Sequence, residues 1–169
     1  MWPVTVERVD HATATKLLID WGHELGPCER PFGRDEWVMF AAGRPVSLAI
    51  TASTVSASVT DETGRCWGRK EIVELARICS APDARWATRP MLRLWREVLA
   101  HEWPHWPAQL LVSYSTPGKA GHIYRHDGWV RVRDVKPSTG GGTWSNRPKT
   151  ADMGDGMKAL WIYRPEAAA

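Results

Sequence analysis

The stretch that decides the fold begins with Glu71-Ile72-Val73-Glu74-Leu75-Ala76-Arg77-Ile78-Cys79 and runs to Trp129. In these first nine residues, a period of two would place Ile72, Glu74, Ala76 and Ile78 on one face and Val73, Leu75, Arg77 and Cys79 on the other. Because both faces are mostly apolar, we expect a strand in the centre of a sheet.

A helix and a second strand follow this strand. Thr88 is the predicted N-cap, and Pro90 lies in the first turn, where its missing N–H costs little. The apolar residues of this helix recur at helical spacing and should bury one side: Met91, Leu92, Trp95, Val98 and Leu99. Residues 109–115 then predict a short apolar strand. Strand, crossover helix and strand make a βαβ unit with parallel strands, and residues 118–129 predict a short helix that ends at Gly128.

The flanking segments supply further strands and one more helix. Residues 5–10 alternate like a first strand, and 11–21 form an amphipathic helix, followed by a Gly- and Pro-rich loop over 22–33. Two antiparallel strands, 36–42 and 46–54, are joined by a tight turn, and 64–68 form a second turn. The last strands, 130–133 and 160–163, enclose a Gly-rich insertion near 136–157. We predict one α/β (α+β) domain over 1–169, with a central mixed twisted sheet of six to seven strands flanked by helices.

Size and composition narrow the class of protein. A chain of 169 residues is long enough to bury a core without disulfides or a structural metal. The three cysteines, Cys28, Cys66 and Cys79, are widely spaced and form no CxxC pair, which suits a reducing cytoplasm. With no basic, apolar leader and no apolar stretch of bilayer length, we expect a soluble cytoplasmic protein that does not contact a membrane.

Charge is unevenly distributed along the chain. Residues 1–64 carry 5 basic and 9 acidic side chains, whereas residues 65–169 carry 17 and 10. The C-terminal part could therefore present a positive face to a polyanion, such as a nucleic acid.

Several short motifs resemble one family. Ala120, Ile123, Tyr124, Gly128 and Trp129 are similar to the small-x-x-aliphatic-Tyr-x-x-x-Gly-aromatic signature of many GNAT acyltransferases. Further segments, at 74–79, 85–89, 124–129 and 140–145, resemble the GNAT-like branch that contains the phage Mom DNA-modification proteins and their uncharacterised bacterial relatives. The resemblance covers roughly residues 20 to 165 and implies a GNAT-like fold and an acyl-coenzyme A (acyl-CoA), such as acetyl-CoA, as the donor.

The resemblance places the CoA pyrophosphate at the loop between the central strand and its helix. A helix N-terminus offers backbone N–H groups and a positive dipole to a phosphate. The residues that the resemblance assigns to the cofactor are Ile78, Cys79, Ser80, Arg85, Trp86, Ala87, Thr88, Arg89 and Tyr124. The family loop normally carries glycines, but Ala87 and Thr88 stand at the crowded positions here, so a solvated basic helix start is the alternative.

Three residues are candidates for catalysis. In the resembled family, the tyrosine that matches Tyr124 protonates the leaving thiolate, and a buried packing tyrosine is the alternative. His23, in the loop over 22–33, could deprotonate an amine or bind a metal, or it could be an ordinary loop histidine. Ser115 shares a strand face with Ser113, and a hydroxyl there could donate to the thioester carbonyl or to the substrate.

Other residues are candidates for contacting the acceptor: His23, Glu74, Ser113, Asp127, Trp144 and Arg147. Asp127 precedes the glycine that ends its helix, so it could be only a helix cap. In the segment 136–149, three glycines allow close backbone approach, Arg147 can contact phosphate and Trp144 can stack on a base. A flexible surface loop is the alternative for this segment.

These observations lead to three hypotheses. The first is a GNAT-like acyltransferase that modifies a nucleic-acid base or nucleotide, as in phage-type DNA modification. The second is an N-acyltransferase for a small-molecule or protein amine, and the third is a non-catalytic module that binds nucleic acid or a partner. The sequence leaves open whether the chain forms a homodimer.

Overall fold

The computed structural model describes residues 3–30, 33–116, 119–136 and 157–165. Within them, three α-helices and nine strands follow one another along the chain. They are β1 (Val4–Val9), α1 (His11–Asp20), β2 (Arg34–Ala41), β3 (Arg44–Ala52), β4 (Ser58–Thr60), β5 (Cys66–Gly68), β6 (Ile72–Ser80), α2 (Thr88–Glu97), β7 (Leu110–Ser115), α3 (His122–Arg125), β8 (Val130–Val135) and β9 (Lys158–Tyr163).

Seven of the described strands form one mixed sheet in the order β1-β2-β3-β6-β7-β9-β8. The pair β6–β7 is parallel, and the other neighbours are antiparallel. The predicted α/β fold with a six- to seven-stranded mixed sheet is confirmed, as are the central position of the strand that begins at residue 72 and its parallel pairing across a helical crossover.

The segment 64–68 was predicted as a turn, but it contributes to a separate hairpin, β4–β5. The Asp61 carboxylate holds this hairpin by accepting hydrogen bonds from Trp67 Nε1 at 2.8 Å and Thr63 Oγ1 at 2.6 Å, and by an ion pair with Arg164. Strands of three residues are too short to show an alternating pattern, so the sequence does not reveal them.

The helix α2 buries Met91, Leu92 and Trp95 against the sheet, as predicted. Two details differ. Thr88 is the first helical residue and not the N-cap, and its hydroxyl donates to Ser80 Oγ at 2.8 Å. Val98 was expected to be buried, but it is 46% exposed because the helix ends at Glu97 and the chain then turns into a short 3₁₀ helix, Leu99–Glu102.

A β-bulge interrupts the alternation of β6. Ile50 of β3 pairs with Arg77 and Thr51 pairs with Leu75, so Ala76 is the extra residue. Ile78 therefore packs in the same cluster as Val73 and Leu75, whereas Ala76 and Cys79 pack on the other face. The strict period of two predicted for this strand is wrong beyond Leu75, because a bulge shifts every later side chain to the opposite face.

The bulge coincides with the point where two strands separate. The parallel pairing of β6 and β7 ends at Leu75 and Ser113. β6 nevertheless continues to Ser80 and β7 to Ser115. The two strands therefore diverge, which opens a gap in the middle of the sheet.

No described helix is long and apolar enough to cross a membrane.

Candidate functional site

A cavity of about 430 Å³ lies where β6 and β7 diverge. We call it the slot. Leu75–Cys79 of β6 form one wall and Ser113–Ser115 of β7 form the other, with Ile123 and Tyr124 of α3 beside them. Residues 21–25, after α1, border the remaining side. The slot brings together six of the predicted site residues: His23, Ile78, Cys79, Ser113, Ser115 and Tyr124.

Tyr124 is fixed at the slot by a chain of hydrogen bonds. Ser113 Oγ donates to the Leu75 carbonyl at 3.0 Å, so the Tyr124 hydroxyl, 2.8 Å from Ser113 Oγ, donates to Ser113. The tyrosine ring stacks on Trp161 with centroids 5.5 Å apart. Burial raises the pKa of Tyr124 to about 12, so the phenol keeps its proton at neutral pH.

A second hydroxyl lies on the same face of β7. Ser115 is buried, and its Oγ accepts a hydrogen bond from Trp161 Nε1 at 3.1 Å. Since no acceptor for the Ser115 proton is found in the described part of the chain, this hydroxyl can donate to a ligand. Tyr114, between the two serines, packs in the cluster on the other face, as the sequence predicts.

His23 borders the slot but is poorly suited to act as a base. Its Nδ1 accepts a hydrogen bond from the Leu25 backbone N–H at 3.2 Å, and its ring also bonds to the backbone of Ile78. Burial, with a smaller contribution from Arg77, lowers the pKa of His23 to about 4. The ring therefore holds the loop against β6, and the role of His23 as the base stays a prediction that this geometry does not favour.

An ion pair spans the slot opening. Lys119 Nζ lies 2.9 Å from Glu24 Oε1, and hydrogen bonds from Lys119 and Thr116 lower the pKa of Glu24. All three residues line the slot, and Glu24 is the acidic side chain among its described lining. Sequence analysis did not select Glu24 or Lys119, because their proximity depends on two loops far apart in sequence.

The predicted phosphate-binding residues follow the outer end of β6. A 3₁₀ turn, Arg85–Ala87, leads directly into α2. Ala84 and Ala87 are buried, so their methyl groups are tucked into the core and do not obstruct the loop surface. Trp86 is 57% exposed, and Arg89 reaches across to the His126 carbonyl at 2.8 Å.

Two predicted acceptor residues lie away from the slot lining. Glu74 of β6 is buried and forms an ion pair with Arg30. The Asp127 carboxylate is also buried and pairs with Arg96 at 2.7 Å and Arg93 at 3.4 Å, which ties α3 to α2. Both carboxylates are paired with arginines, and their roles at the acceptor stay predictions. Trp144 and Arg147 lie outside the described residues.

No protein-family model and no curated protein matches the chain. Solved structures do match it over nearly its full length. The ribosomal-protein-S18-alanine N-acetyltransferase from Escherichia coli has a TM-score of 0.62 at 12% identity, covering 99% of this chain and 97% of that one. The chain has the GNAT acetyltransferase fold.

Two further structures agree with the GNAT fold. The IAA acetyltransferase from Bacillus cereus has a TM-score of 0.62 at 13% identity, covering 96% of this chain and 100% of that one. An acetyltransferase from Bacillus subtilis, solved in complex with CoA, has a TM-score of 0.55 at 7% identity, covering 98% and 100%. The predicted GNAT-like fold is confirmed, whereas the resemblance to the Mom branch stays a prediction.

Proposed function

We propose that the chain is an N-acyltransferase that takes its acyl group from acetyl-CoA or another acyl-CoA. The observation that carries the proposal is the divergence of β6 and β7 after Leu75 and Ser113, which opens the slot beside a buried tyrosine. Such a gap exposes unpaired backbone groups of both strands. The extended, amide-containing arm of an acyl-CoA can form hydrogen bonds with them. Acyl-CoA would supply a thioester, from which an amine forms an amide and releases the thiol.

The residues near the slot fit an acyl-CoA. The loop between β6 and α2 offers a helix N-terminus with Arg85 and Arg89 close by, a combination that suits a pyrophosphate. The family loop uses glycines so that a phosphate can approach the backbone closely. Here the methyl groups of Ala84 and Ala87 are buried and leave the same surface open. Trp86, exposed on the same loop, offers an aromatic face to a base.

Tyr124 is the proposed acid that protonates the departing thiolate. A phenol with a pKa near 12 is a weak acid, so the thiolate must be a stronger base than it is in water to take this proton. Burial raises the pKa of the Cys79 thiol, which lines the slot, to about 12. We propose that a thiolate formed in the slot is likewise a stronger base than one in water, so that it can take the proton of the phenol.

The amine must lose a proton as the amide forms. Because the Nδ1 of His23 is already bonded to Leu25 N–H, we propose that this proton leaves through water toward the opening where Glu24 lies. Ser115 is proposed to position the acceptor or the thioester carbonyl with its free proton.

The proposed acceptor is the amine of a nucleic-acid base or nucleotide, supported by the excess of basic residues after residue 65 and by the motifs that resemble the Mom branch. A small-molecule or protein amine is the second candidate. It is favoured by the similar structures, one of which is named for an alanine of a ribosomal protein.

Incubation with acetyl-CoA and single-stranded DNA, nucleotides, polyamines or peptides tests the proposal. Thiol release would be followed continuously, and nucleosides and peptides would be analysed by mass spectrometry. Acylated nucleosides would support the first acceptor class, and acylated amines without modified nucleosides the second. If no donor releases thiol with any acceptor and CoA does not bind, a non-catalytic module remains and the proposed activity is wrong.

A further inference from the structure

A second cavity, of about 210 Å³, adjoins the slot. We call it the basic cavity. Four residues line both the slot and the basic cavity, namely Ser115, Thr116, Lys119 and Ala120. The slot and the basic cavity are therefore adjacent.

The basic cavity carries an excess of positive charge. Lys119, Arg125 and Arg131 line it, against Asp134 as the carboxylate among its described lining residues. Arg131 pairs with Asp134, and Lys119 pairs with Glu24. Arg125 has no carboxylate partner within the described ranges, and its guanidinium lies 6.0 Å from the centre of the Trp161 ring.

A bulge in β8 determines which arginine reaches this cavity. Arg131 pairs with Trp161 of β9, whereas Arg133 pairs with Leu160, so Val132 is the extra residue. Arg131 and Arg133 therefore lie on opposite faces of the sheet, although they are two residues apart. Arg133 donates instead to the Thr60 carbonyl at 2.9 Å, beside the separate hairpin.

The buried side chain of Trp161 forms part of the cavity lining. Trp161 is 1% exposed and is held by Tyr124 and Ser115. Ser115 and Thr116 also line the cavity, but the Thr116 hydroxyl already bonds to Glu24. The guanidinium groups of Arg125 and Arg131 present several N–H donors, which match the several acceptor oxygens of a phosphate.

We propose that the basic cavity binds a phosphate group of the acceptor, which places the acceptor's amine in the slot. The inference rests on the proposed function only in identifying the bound molecule as an acceptor. In this arrangement the phosphate competes with Asp134 for Arg131 and with Glu24 for Lys119, while Arg125 has no carboxylate to displace among the described residues. The acceptor is thus a phosphorylated amine, as in a nucleotide or a nucleic-acid strand.

Binding of matched ligands tests the proposal. The dissociation constants of 5′-AMP, adenosine, a short single-stranded oligonucleotide and CoA would be measured by calorimetry on the full chain at two salt concentrations. The variants are the double change Arg125→Gln/Arg131→Gln and the control Arg133→Gln, which removes a positive charge from the same strand but from the other face.

We expect 5′-AMP to bind about tenfold or more tightly than adenosine, as hydrogen bonds to charged groups of this kind allow. This preference should disappear in the double variant, persist in Arg133→Gln, and weaken with salt. Tighter, more salt-sensitive binding of the oligonucleotide would identify a nucleic-acid strand as the source of the phosphate, and weaker binding a free nucleotide.

The proposal is overturned if adenosine and 5′-AMP bind equally or both fail to bind, or if Arg133→Gln has the same effect as the double variant. It is also overturned if the double variant weakens CoA as much as 5′-AMP, since the cavity would then serve the donor. Equal melting temperatures of the variants would exclude misfolding. A persistent preference for 5′-AMP in the absence of any thiol release would contradict the proposed activity but not the phosphate site.

Discussion

The surroundings of Tyr124 raise the pKa of its phenol and fix its position. Its ring lies between Trp161 and Trp129, with centroids 5.5 Å and 5.4 Å away, and its hydroxyl is bonded to Ser113. The enclosure excludes water from the phenol, and this exclusion raises its pKa. The same burial fixes the hydroxyl in one place beside the slot.

Replacing Tyr124 with Phe should lower the rate of acyl transfer by about a hundredfold or more, which is typical of losing a general acid, and leave CoA affinity unchanged. Because the pKa is about 12, the wild-type rate should not decline near pH 10, where an ordinary tyrosine ionises. Steady-state kinetics across pH would measure both effects. The control is Tyr163→Phe, whose hydroxyl bonds to Arg96 outside the slot; an equal loss in both variants would contradict the assigned role.

The pKa of His23 should be about 4, against 6.5 for an unperturbed histidine, so its ring should stay neutral in mildly acidic solution. Between these values the unfolded chain binds a proton that the folded chain does not, so the free energy of unfolding should fall as pH drops from 6.5 toward 4. NMR titration of the ring would measure the pKa, and urea unfolding of wild type and His23→Gln would measure the stability. A pKa near 6.5 would contradict the burial argument.

At the scale of elements, α3 begins where the backbone of Gly121 passes close to the side chain of Trp161. Gly121 has φ +64°, and a Cβ built there would lie 2.2 Å from Trp161 Cζ2. Gly43, in the turn between β2 and β3, also has positive φ, +76°, but no atom lies within 4 Å of its Cβ position. An alanine at position 43 would therefore add backbone strain alone, whereas an alanine at position 121 would add steric overlap as well.

Gly43→Ala should destabilise the protein by about 1 kcal/mol through strain alone. Gly121→Ala should cost about 3 kcal/mol, because overpacking against the buried Trp161 adds to the strain. Urea unfolding of both variants would measure the difference. If the two costs are equal, Trp161 moves aside readily and steric overlap adds nothing to the strain.

At the scale of the whole molecule, two arginine side chains hold the loop after α1 to the sheet. Arg77 donates to the carbonyls of Gly26 at 3.1 Å and Pro27 at 3.2 Å, and Arg30 forms an ion pair with buried Glu74. Burial raises the pKa of Glu74, and Arg30 opposes that shift. This loop carries the residues that border the slot, so its anchoring shapes the site.

Arg30→Met should destabilise the fold by about 3 kcal/mol, because it leaves a buried carboxylate with only the weaker attraction of Arg77 and Lys158. The loss should be larger at pH 8 than at pH 5, since a raised pKa favours the protonated carboxyl and penalises its charged form. The double variant Arg30→Met/Glu74→Leu should recover most of the stability. Urea unfolding at both pH values would measure these effects, and a double variant as unstable as Arg30→Met would contradict the explanation.

CoA at about 100 times its dissociation constant should stabilise the protein by about 2.7 kcal/mol and raise its melting temperature by about 5–10 °C. At the same CoA concentration, Arg85→Gln/Arg89→Gln should reduce this shift, because it removes positive charge from the proposed pyrophosphate site, whereas Arg133→Gln should preserve it. Differential scanning fluorimetry would measure the shifts. The absence of any shift with CoA would count against the donor assignment.

Much of the fold could be predicted because the decisive patterns are local. The helical spacing of Met91, Leu92 and Trp95 and the apolar run at 110–112 each reflect burial of one element, and short-range periodicity records it. Within the site, Tyr124, Ser113, Ser115 and Cys79 were also found, since each belongs to a motif or an alternating strand. Glu24, Lys119, Arg125 and Arg131 were missed because nothing near them in sequence signals a shared cavity.

The sequence by itself predicted the order of the elements in the main sheet and the parallel crossover, because periodicity and turn residues act over a few neighbouring positions. It missed the hairpin β4–β5, and the candidate tyrosine came from a motif that resembles one family. Only the tertiary structure decided the bulges at Ala76 and Val132, the divergence of β6 and β7, and the pairing of Glu74 with Arg30. These features depend on how distant strands align, and a shift of one residue in that alignment moves each later side chain to the other face.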